Sequence, residues 1–316
     1  MNADSRYRAE PDPRSPRLSY LTLGASLYMP ATRPDLPALL NGHRFPGLRS
    51  VVVCTEDAVH ARDLGRALAN LREALPHLEA PGPLRFLRPR NPEILAEIVA
   101  MRGIEQVDGI CLPKVDERNL GDYLAALAPT GFLAIMPIVE TEVAFCRDRL
   151  RRLRTQLDAV YERVPCVRIG GNDLLHLLGM RRPKEVTAYD TPLRRVIDDM
   201  MIEFRGHGYE LSAPVFEHLD RPQVLARELE LDLTHGLIAK TAIHPAQVGP
   251  IEASYAVPPG EAALARAVLA PDAAGVFRLN GQMAEPTTHH RWAARTLARL
   301  DAYGLRPDRA DVLDRH

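Results

Sequence analysis

The sequence predicts an α/β fold, a (β/α)8 TIM barrel followed by a C-terminal helical lid or arm. Short apolar runs rich in β-branched residues alternate with longer segments of helical periodicity, which is typical of parallel βα units. Eight such runs are present, and eight strands are what a closed barrel needs. The length of 316 residues and the 46% hydrophobic composition are sufficient for one large core.

The predicted strands each span four to nine residues and end next to polar side chains. In chain order they cover 20–28, 50–54, 84–87, 109–112, 132–138, 166–169, 210–215 and 236–239. The segments between them place leucine, isoleucine and methionine on one helical face, which would pack against the outside of the barrel. In segment 141–163 arginines fill the other face, and we interpret that face as solvated.

Three regions are predicted along the chain. Residues 1–18 are polar and rich in proline and are expected to be disordered or extended. Residues 19–255 are expected to form the TIM-barrel catalytic domain. After Pro245 the pattern changes to two helices around an Asn280-Gly281 turn, so residues 256–316 are expected to form a helical lid or oligomerisation arm.

Composition excludes several classes of function. A formal charge of -1 provides no field that would attract nucleic acid or an anionic membrane. The N-terminus lacks the apolar segment of a secretion signal, and no apolar run approaches the ~20 residues that cross a bilayer. The four cysteines lie far apart, which predicts reduced thiols rather than a disulfide framework or a zinc site. We therefore expect a cytoplasmic protein.

Two acidic residues follow neighbouring predicted strands. Glu140 follows the fifth strand, and Asp173 follows the sixth after a tight Gly170-Gly171 turn. Each alone is also explained as a favourable acid at a helix N-terminus. Together they are what Mg²⁺ requires, because this ion binds one or two carboxylates and keeps sites for water and substrate oxygens. They are the predicted metal ligands, with Mn²⁺ as the alternative ion.

Other polar residues follow the strands where a barrel presents its catalytic groups. An arginine fork after the third strand would bind a carboxylate, and either of two lysines could form a Schiff base if it were desolvated. Only three of the 40 basic residues are lysines, so a lysine at a strand end is informative. These candidates, from the first strand to the eighth, are Arg33, Glu56, Asp57, Arg88, Arg90, Lys114, Lys240 and His244.

Taken in order, these motifs resemble the citrate lyase β-subunit branch of the HpcH/HpaI aldolase superfamily, magnesium-dependent lyases of TIM-barrel fold. The resemblance covers about residues 20–290. Three positions depart from the usual pattern, with Cys54 and Glu285 in place of aspartate and Ala239 in place of glycine. The matching stretches are YMPATRPD at 28–35, EDAV at 56–59, RPRNP at 88–92, LPK at 112–114, IVET at 138–141, GGNDLLHLLG at 170–179 and IHPAQV at 243–248.

The resemblance implies a site and an assembly. It places Glu140 and Asp173 as metal ligands and an arginine of the 88–91 loop, Arg88 in preference to Arg90, on the substrate carboxylate. The NGQMAEP stretch at 280–286 resembles a lid motif whose acid, here Glu285, reaches a neighbouring subunit. That implies a homo-oligomer, a trimer or a multiple of one. The arginine-rich helix and the EPTTH run at 285–289 resemble those of a divergent branch associated with tellurium-resistance gene neighbourhoods, for which a coenzyme A substrate is not assumed.

The predicted function is magnesium-dependent cleavage or formation of a carbon-carbon bond through a metal-stabilised enolate. The expected substrate is a small carboxylate, a 2-oxo acid or an acyl thioester. The alternatives are a non-catalytic barrel that binds a metabolite or a partner, a thioester hydrolase, and a lysine-dependent aldolase. The catalytic candidates are Arg88, Glu285, Glu56, Asp57 and Lys114, and the substrate-binding candidates are Arg90, Arg33, Lys240 and His244.

Overall fold

The computed structural model of the protein describes residues 18–307. Of the N-terminal segment predicted for residues 1–18, all but the last residue lie outside the described part of the chain. Eight parallel strands form one sheet in the order β7-β6-β5-β4-β3-β2-β1-β8. They are β1 Ala25–Pro30, β2 Ser50–Cys54, β3 Leu84–Arg88, β4 Gly109–Leu112, β5 Ala134–Val139, β6 Val167–Ile169, β7 Leu211–Ser212 and β8 Lys240–Ala242.

The sheet closes on itself. β1 pairs with β2 on one side and with β8 on the other, and both pairings are parallel. A parallel bridge between Ala213, which follows β7, and Lys240 joins the remaining edges. The amide of Ala213 donates to the carbonyl of Ala239 at 2.9 Å at the same point. The predicted (β/α)8 barrel is therefore confirmed.

Helices follow the strands and cover the outside of the barrel. Their inward faces are apolar, as in the second helix, where Ala67, Leu68, Leu71 and Ala74 are buried. These helices are α1 Leu36–Leu40, α2 Leu64–Ala74, α3 Pro92–Val99, α4 Leu120–Ala126, α5 Arg147–Leu157, α6 Gly171–Leu177, α7 Leu193–Met200 and α8 Pro222–Thr234. The chain then continues with α9 Val248–Ser254, α10 Pro259–Val268 and α11 Pro286–Tyr303.

The barrel interior is packed with side chains below the strand ends. Its apolar cluster includes Val52, Phe86 and Met136, all fully buried. Above this cluster the buried Arg168 donates to Thr241 Oγ1 at 2.8 Å, and its guanidinium lies 5.5 Å from the ring centre of Tyr28. The interior is therefore closed, and polar side chains are presented at the C-terminal ends of the strands, as in other barrels.

The described chain divides into two compact units between Val248 and Gly249. The second unit consists mainly of α10, α11 and a hairpin of β9, Phe277–Leu279, and β10, Gln282–Ala284. Its small core contains Leu264, Val268 and Ala293. Over residues 18–307 no helix combines the length and apolar character needed to cross a membrane. All four cysteines are free thiols.

Lys240 does not lie at the barrel mouth, and this prediction is wrong. The eighth strand begins at Lys240 instead of ending before it, so the side chain starts the strand and is fully buried. Its Nζ donates to Glu228 Oε1 and Asp232 Oδ2 on α8, at 2.8 Å each. The two carboxylates compensate the buried ammonium, which therefore joins strand to helix instead of binding substrate.

We expect Lys240→Met to lower the free energy of unfolding by about 3–5 kcal/mol, because it leaves two carboxylates buried without their cation. The matched control is Lys184→Met, since Lys184 is half exposed and pairs with Asp220 on the surface. That variant should lose no measurable stability. Urea unfolding of the two variants measures the difference. Equal stability of Lys240→Met and wild type would contradict the structural role of this lysine.

Candidate active site at the barrel mouth

Glu140 is a carboxylate buried at the end of β5. Its side chain is 3% exposed, and its Oε1 accepts from the backbone N–H of Lys114 at 2.9 Å and from Arg88 Nη2 at 3.3 Å. Burial raises the pKa of Glu140 to about 8; Arg88 opposes this shift, and the charge of Asp173 adds to it. Burial therefore disfavours the ionised form of Glu140. An additional cation close to it would stabilise that form.

Asp173 stands beside Glu140 because of the turn that connects β6 to α6. Gly170 has an ordinary φ of -86°, but a Cβ there would lie 2.3 Å from Glu140 Oε2. Glycine is therefore required for space and not for backbone conformation. Asp173 occupies the first turn of α6, and its side chain is one-third exposed. The two predicted metal ligands thus come from neighbouring strand ends with their charges interacting.

Arg88, the last residue of β3, binds several carboxylates at once. Its Nη2 lies 2.6 Å from Glu56 Oε2, 3.3 Å from Glu140 Oε1 and 3.5 Å from Asp57 Oδ2. The side chain is 12% exposed, yet its buried Nε has no hydrogen-bond partner. A buried donor without a partner costs free energy, so this nitrogen is an unsatisfied polar group next to the acidic cluster.

Lys114 contacts the same carboxylates from the end of β4. Its Nζ bonds Glu56, lies 2.9 Å from Asp57 Oδ2 and is 3.8 Å from Asp173 Oδ1. Partial burial disfavours the ammonium, but Glu56 and Asp57 outweigh it and raise the pKa of Lys114 above its ordinary value. Lys114 therefore stays charged, which does not favour the Schiff-base alternative, since that chemistry needs a neutral amine.

Glu56 and Asp57 are held by a loop that another arginine ties down. The guanidinium of Arg90 donates to the backbone carbonyls of Thr55, Glu56 and Val59. Burial raises the pKa of Glu56, whereas, against the opposing effect of burial, a hydrogen bond with Glu56 and the ion pair with Lys114 hold the pKa of Asp57 below its usual value. Arg90 is thus used to shape the loop after β2, and Arg88 is the arginine that faces the acidic cluster.

The charges of this cluster fit a divalent cation. Four carboxylates, on Glu56, Asp57, Glu140 and Asp173, face two side-chain cations, on Arg88 and Lys114. With all four acids ionised, two negative charges are left without compensation, which is the charge of one Mg²⁺ or Mn²⁺. Because burial raises the pKa of Glu140 to about 8, a bound cation would favour its ionised form. Oxygen donors are the ligands these hard ions prefer. Within residues 18–307 no group of three or more histidine, cysteine or acidic side chains is arranged for a metal. The assignment of Glu140 and Asp173 as metal ligands therefore stays a prediction.

Arg33 and His244 are not brought into this cluster, and Glu285 belongs to the second unit. Arg33 pairs with its neighbour Asp35 at 2.6 Å. His244 is exposed after β8, and its Nδ1 accepts from the amide of Ala246. Glu285 precedes α11 in the second unit, where its Oε2 accepts from Thr288 Oγ1 at 3.1 Å. Roles for these three residues stay predictions.

Two residues that hold the loop after β4 were not predicted from the sequence. Asn119 Nδ2 donates to the carbonyl of Lys114 at 2.8 Å, and Tyr123 Oη donates to the carbonyl of Pro113 at 3.1 Å. The Asp116-x-x-Asn119 spacing was a usable signal, because aspartate and asparagine three residues apart often bond each other's backbone in turns. Tyr123 had no such signal, since it lies in a helix.

Comparison with known proteins identifies the family of the chain. Residues 17–305 match the model of a family described as carbon-carbon bond lyases of the TIM-barrel fold. A (3S)-malyl-CoA thioesterase from Cereibacter sphaeroides is 26% identical over 263 residues, which cover 80% of this chain and 87% of that protein. The match extends over both units of the chain.

Solved structures show the same fold. CitE from Mycobacterium tuberculosis, in complex with magnesium, acetoacetate and coenzyme A, aligns with a TM-score of 0.65 and 22% identity over 89% of this chain and 99% of that one. RipC from Yersinia pestis aligns with a TM-score of 0.56 and 18% identity over 75% of this chain and 96% of that one. At these identities the likeness supports the fold alone.

We expect Gly170→Ala to weaken Mg²⁺ binding by roughly 10- to 100-fold, because the new methyl group displaces the Glu140 carboxylate. The control is Gly121→Ala in α4, where an added Cβ meets no atom within 4 Å. Isothermal calorimetry with Mg²⁺ measures both, and circular dichroism checks the fold. Wild-type affinity in Gly170→Ala would show that the position of Glu140 does not determine cation binding.

Proposed function

The chain belongs to the family of carbon-carbon bond lyases of the TIM-barrel fold, and we propose that it uses one Mg²⁺ to break or form a bond next to a carboxylate or acyl group. The observation that carries the proposal is the buried Glu140 carboxyl group beside Asp173, in a cluster that has two uncompensated negative charges once Glu140 is ionised. Beside it lies an arginine with a free buried donor.

Glu140 and Asp173 would hold the ion, with water and substrate oxygens completing its shell. When bound, Mg²⁺ supplies a fixed positive charge for the negative charge that develops on the substrate in the transition state. Mn²⁺ fits the same oxygen donors. The proposal is supported by the charge count of the cluster and by the magnesium named in the complex of the structurally similar CitE.

Arg88 binds and orients the anionic substrate. Its Nη2 is already shared between Glu56 and Glu140, so the guanidinium is fixed in place before substrate arrives. A substrate carboxylate would accept hydrogen bonds from the exposed part of the guanidinium, since 12% of the Arg88 side chain is accessible. A fixed guanidinium needs no reorganisation during the reaction, and such preorganised contacts are typically worth about 100-fold in rate.

Lys114, Glu56 and Asp57 provide the charge around the reacting carbon. The ammonium of Lys114 keeps its proton and adds positive charge on the side of the cluster that faces Asp173. Glu56 fixes both cations through its two oxygens. Cleavage of a hydroxy acid requires one proton to leave the hydroxyl and one to reach the carbon next to the acyl group. We assign that transfer to Glu285, carried by the C-terminal arm of the same or a neighbouring subunit.

The substrate class we propose is a small carboxylate, a 2-oxo acid or an acyl thioester. Arg33 and His244, at the ends of the first and last strands, are the proposed contacts for the distal part of the substrate. A homo-oligomer, a trimer or a multiple of one, and a cytoplasmic location complete the proposal. They rest on the lid motif around Glu285 and on the composition of the chain.

A thioester hydrolase is the second candidate, because the curated relative is named a (3S)-malyl-CoA thioesterase. The two reactions differ in the bond that breaks. A lyase breaks the bond between the hydroxyl-bearing carbon of malyl-CoA and the carbon next to the thioester, giving glyoxylate and acetyl-CoA. A hydrolase adds water to the thioester carbonyl and releases malate and a free thiol.

We expect incubation with malyl-CoA and Mg²⁺ to give glyoxylate and acetyl-CoA, because the site is built to stabilise charge on the acyl group. Mass spectrometry measures the products, and a thiol reagent measures free coenzyme A. EDTA and the Asp173→Asn substitution should each abolish turnover. Asp122→Asn, an exposed aspartate in α4, is the matched control.

Three outcomes decide between the candidates. Glyoxylate that depends on Mg²⁺ and on Asp173 supports the lyase. Free thiol with the same dependence supports the hydrolase. Turnover that is unchanged by EDTA and by Asp173→Asn would contradict the metal-dependent mechanism, whichever product appears.

A further inference from the structure

We propose that Asn119 is a positioning residue that holds Lys114 in a left-handed backbone conformation, so that this one residue contacts or faces all four site carboxylates. Both residues lie in the loop 113–119 between β4 and α4. The expected effect of Asn119 on turnover rests on the proposed function, whereas its effect on the backbone of Lys114 does not.

The backbone of Lys114 is in an unfavourable conformation. Its φ is +51°, in the left-handed region, and the side chain is neither glycine nor asparagine. This conformation is disfavoured for an L-residue by a factor of roughly 5 to 30 in population. It persists only if the surrounding structure enforces it, and such residues cluster at functional sites.

The left-handed turn sends the two polar groups of Lys114 to different carboxylates. The backbone N–H reaches Glu140 Oε1 at 2.9 Å, while the Nζ bonds Glu56 and Asp57 and lies 3.8 Å from Asp173. A right-handed backbone at this position would redirect the N–H or the side chain. Because both groups act on carboxylates of the site, the conformation is part of its construction.

Asn119 provides the restraint. Its Nδ2 donates to the carbonyl of Lys114 at 2.8 Å, and its Oδ1 accepts from the amide of Asp116 at 2.9 Å. Asp116 Oδ1 in return accepts from the amide of Asn119 at 3.2 Å. The two side chains thereby close a ring of hydrogen bonds across the loop. The bond to Lys114 restrains the peptide group that follows its strained φ.

Helix α5 supports this ring from outside. Arg149 Nε donates to Glu117 Oε1 at 2.7 Å, and its Nη2 lies 3.4 Å from Asp116 Oδ2. Arg118 pairs with the same Asp116 oxygen at 2.9 Å. The arginine-rich face of segment 141–163 was predicted to be solvated. Part of it is instead bound to the loop that carries Lys114.

The test is a double-mutant cycle that combines Asn119→Ala with Lys114→Gly. Glycine adopts a left-handed backbone without penalty, so residue 114 should need Asn119 much less in that background. We expect Asn119→Ala to speed hydrogen exchange of the residue 114 amide by roughly 5- to 30-fold in the wild-type background. The acceleration should be at least about fivefold smaller when residue 114 is glycine.

Two further variants make the assignment specific. Asn119→Asp keeps the acceptor for Asp116 but loses the donor to Lys114, so it should behave like Asn119→Ala. Asn70→Ala is the control, because Asn70 also ties a loop, donating to the carbonyls of Ala31 and Arg33. It should leave exchange at residue 114 unchanged. A crystal structure of Asn119→Ala should show a negative φ at Lys114.

Equal acceleration in both backgrounds, or a φ near +51° in Asn119→Ala, would overturn the proposal and leave Asn119 as a general loop stabiliser. For turnover of malyl-CoA we expect a lower kcat in Asn119→Ala and no further loss when it is added to Lys114→Gly. If the proposed function fails, the wild type is inactive or independent of Mg²⁺ while the exchange results still decide the role of Asn119.

Discussion

The site depends on one costly arrangement, a carboxylate buried at the end of β5 beside a second carboxylate. Burial and the charges of Asp173 and Glu56 oppose ionisation of Glu140, whereas Arg88 and the N–H of Lys114 favour it. A protein gains no stability from two close carboxylates that lack a cation. A divalent cation bound between Glu140 and Asp173 would explain the residues around them. Gly170 leaves space for the Glu140 carboxylate, and Arg88 and Lys114 compensate the charges of Glu56 and Asp57.

The barrel can hold these charged side chains close together because its strands fix their positions. Four consecutive strands, β3 to β6, end at or shortly before Arg88, Lys114, Glu140 and Asp173. The parallel register brings these strand ends to one face of the barrel. Below them the packed interior resists collapse of the site. Lys114 adds a strained backbone, which the ring between Asp116 and Asn119 holds in place.

Most strand positions and the acids at their ends were predictable from the sequence, because each strand is an apolar run rich in β-branched residues and the acids follow it directly. Residues 50–54 and 109–112 were assigned with the observed bounds. The eighth strand was misplaced because the apolar run 237–239 precedes it, and the burial of Lys240 depends on Glu228 and Asp232, which come from a helix. Sequence periodicity does not report such long-range compensation. Likewise, the role of Arg90 was not visible, because its partners are backbone carbonyls.

The most direct test of the central claim is anomalous diffraction from crystals soaked in Mn²⁺. We expect one strong peak within about 2.3 Å of a carboxylate oxygen of both Glu140 and Asp173, displaced by excess Mg²⁺. Crystals that diffract well but show no peak there, or a peak bound by other residues, would contradict it.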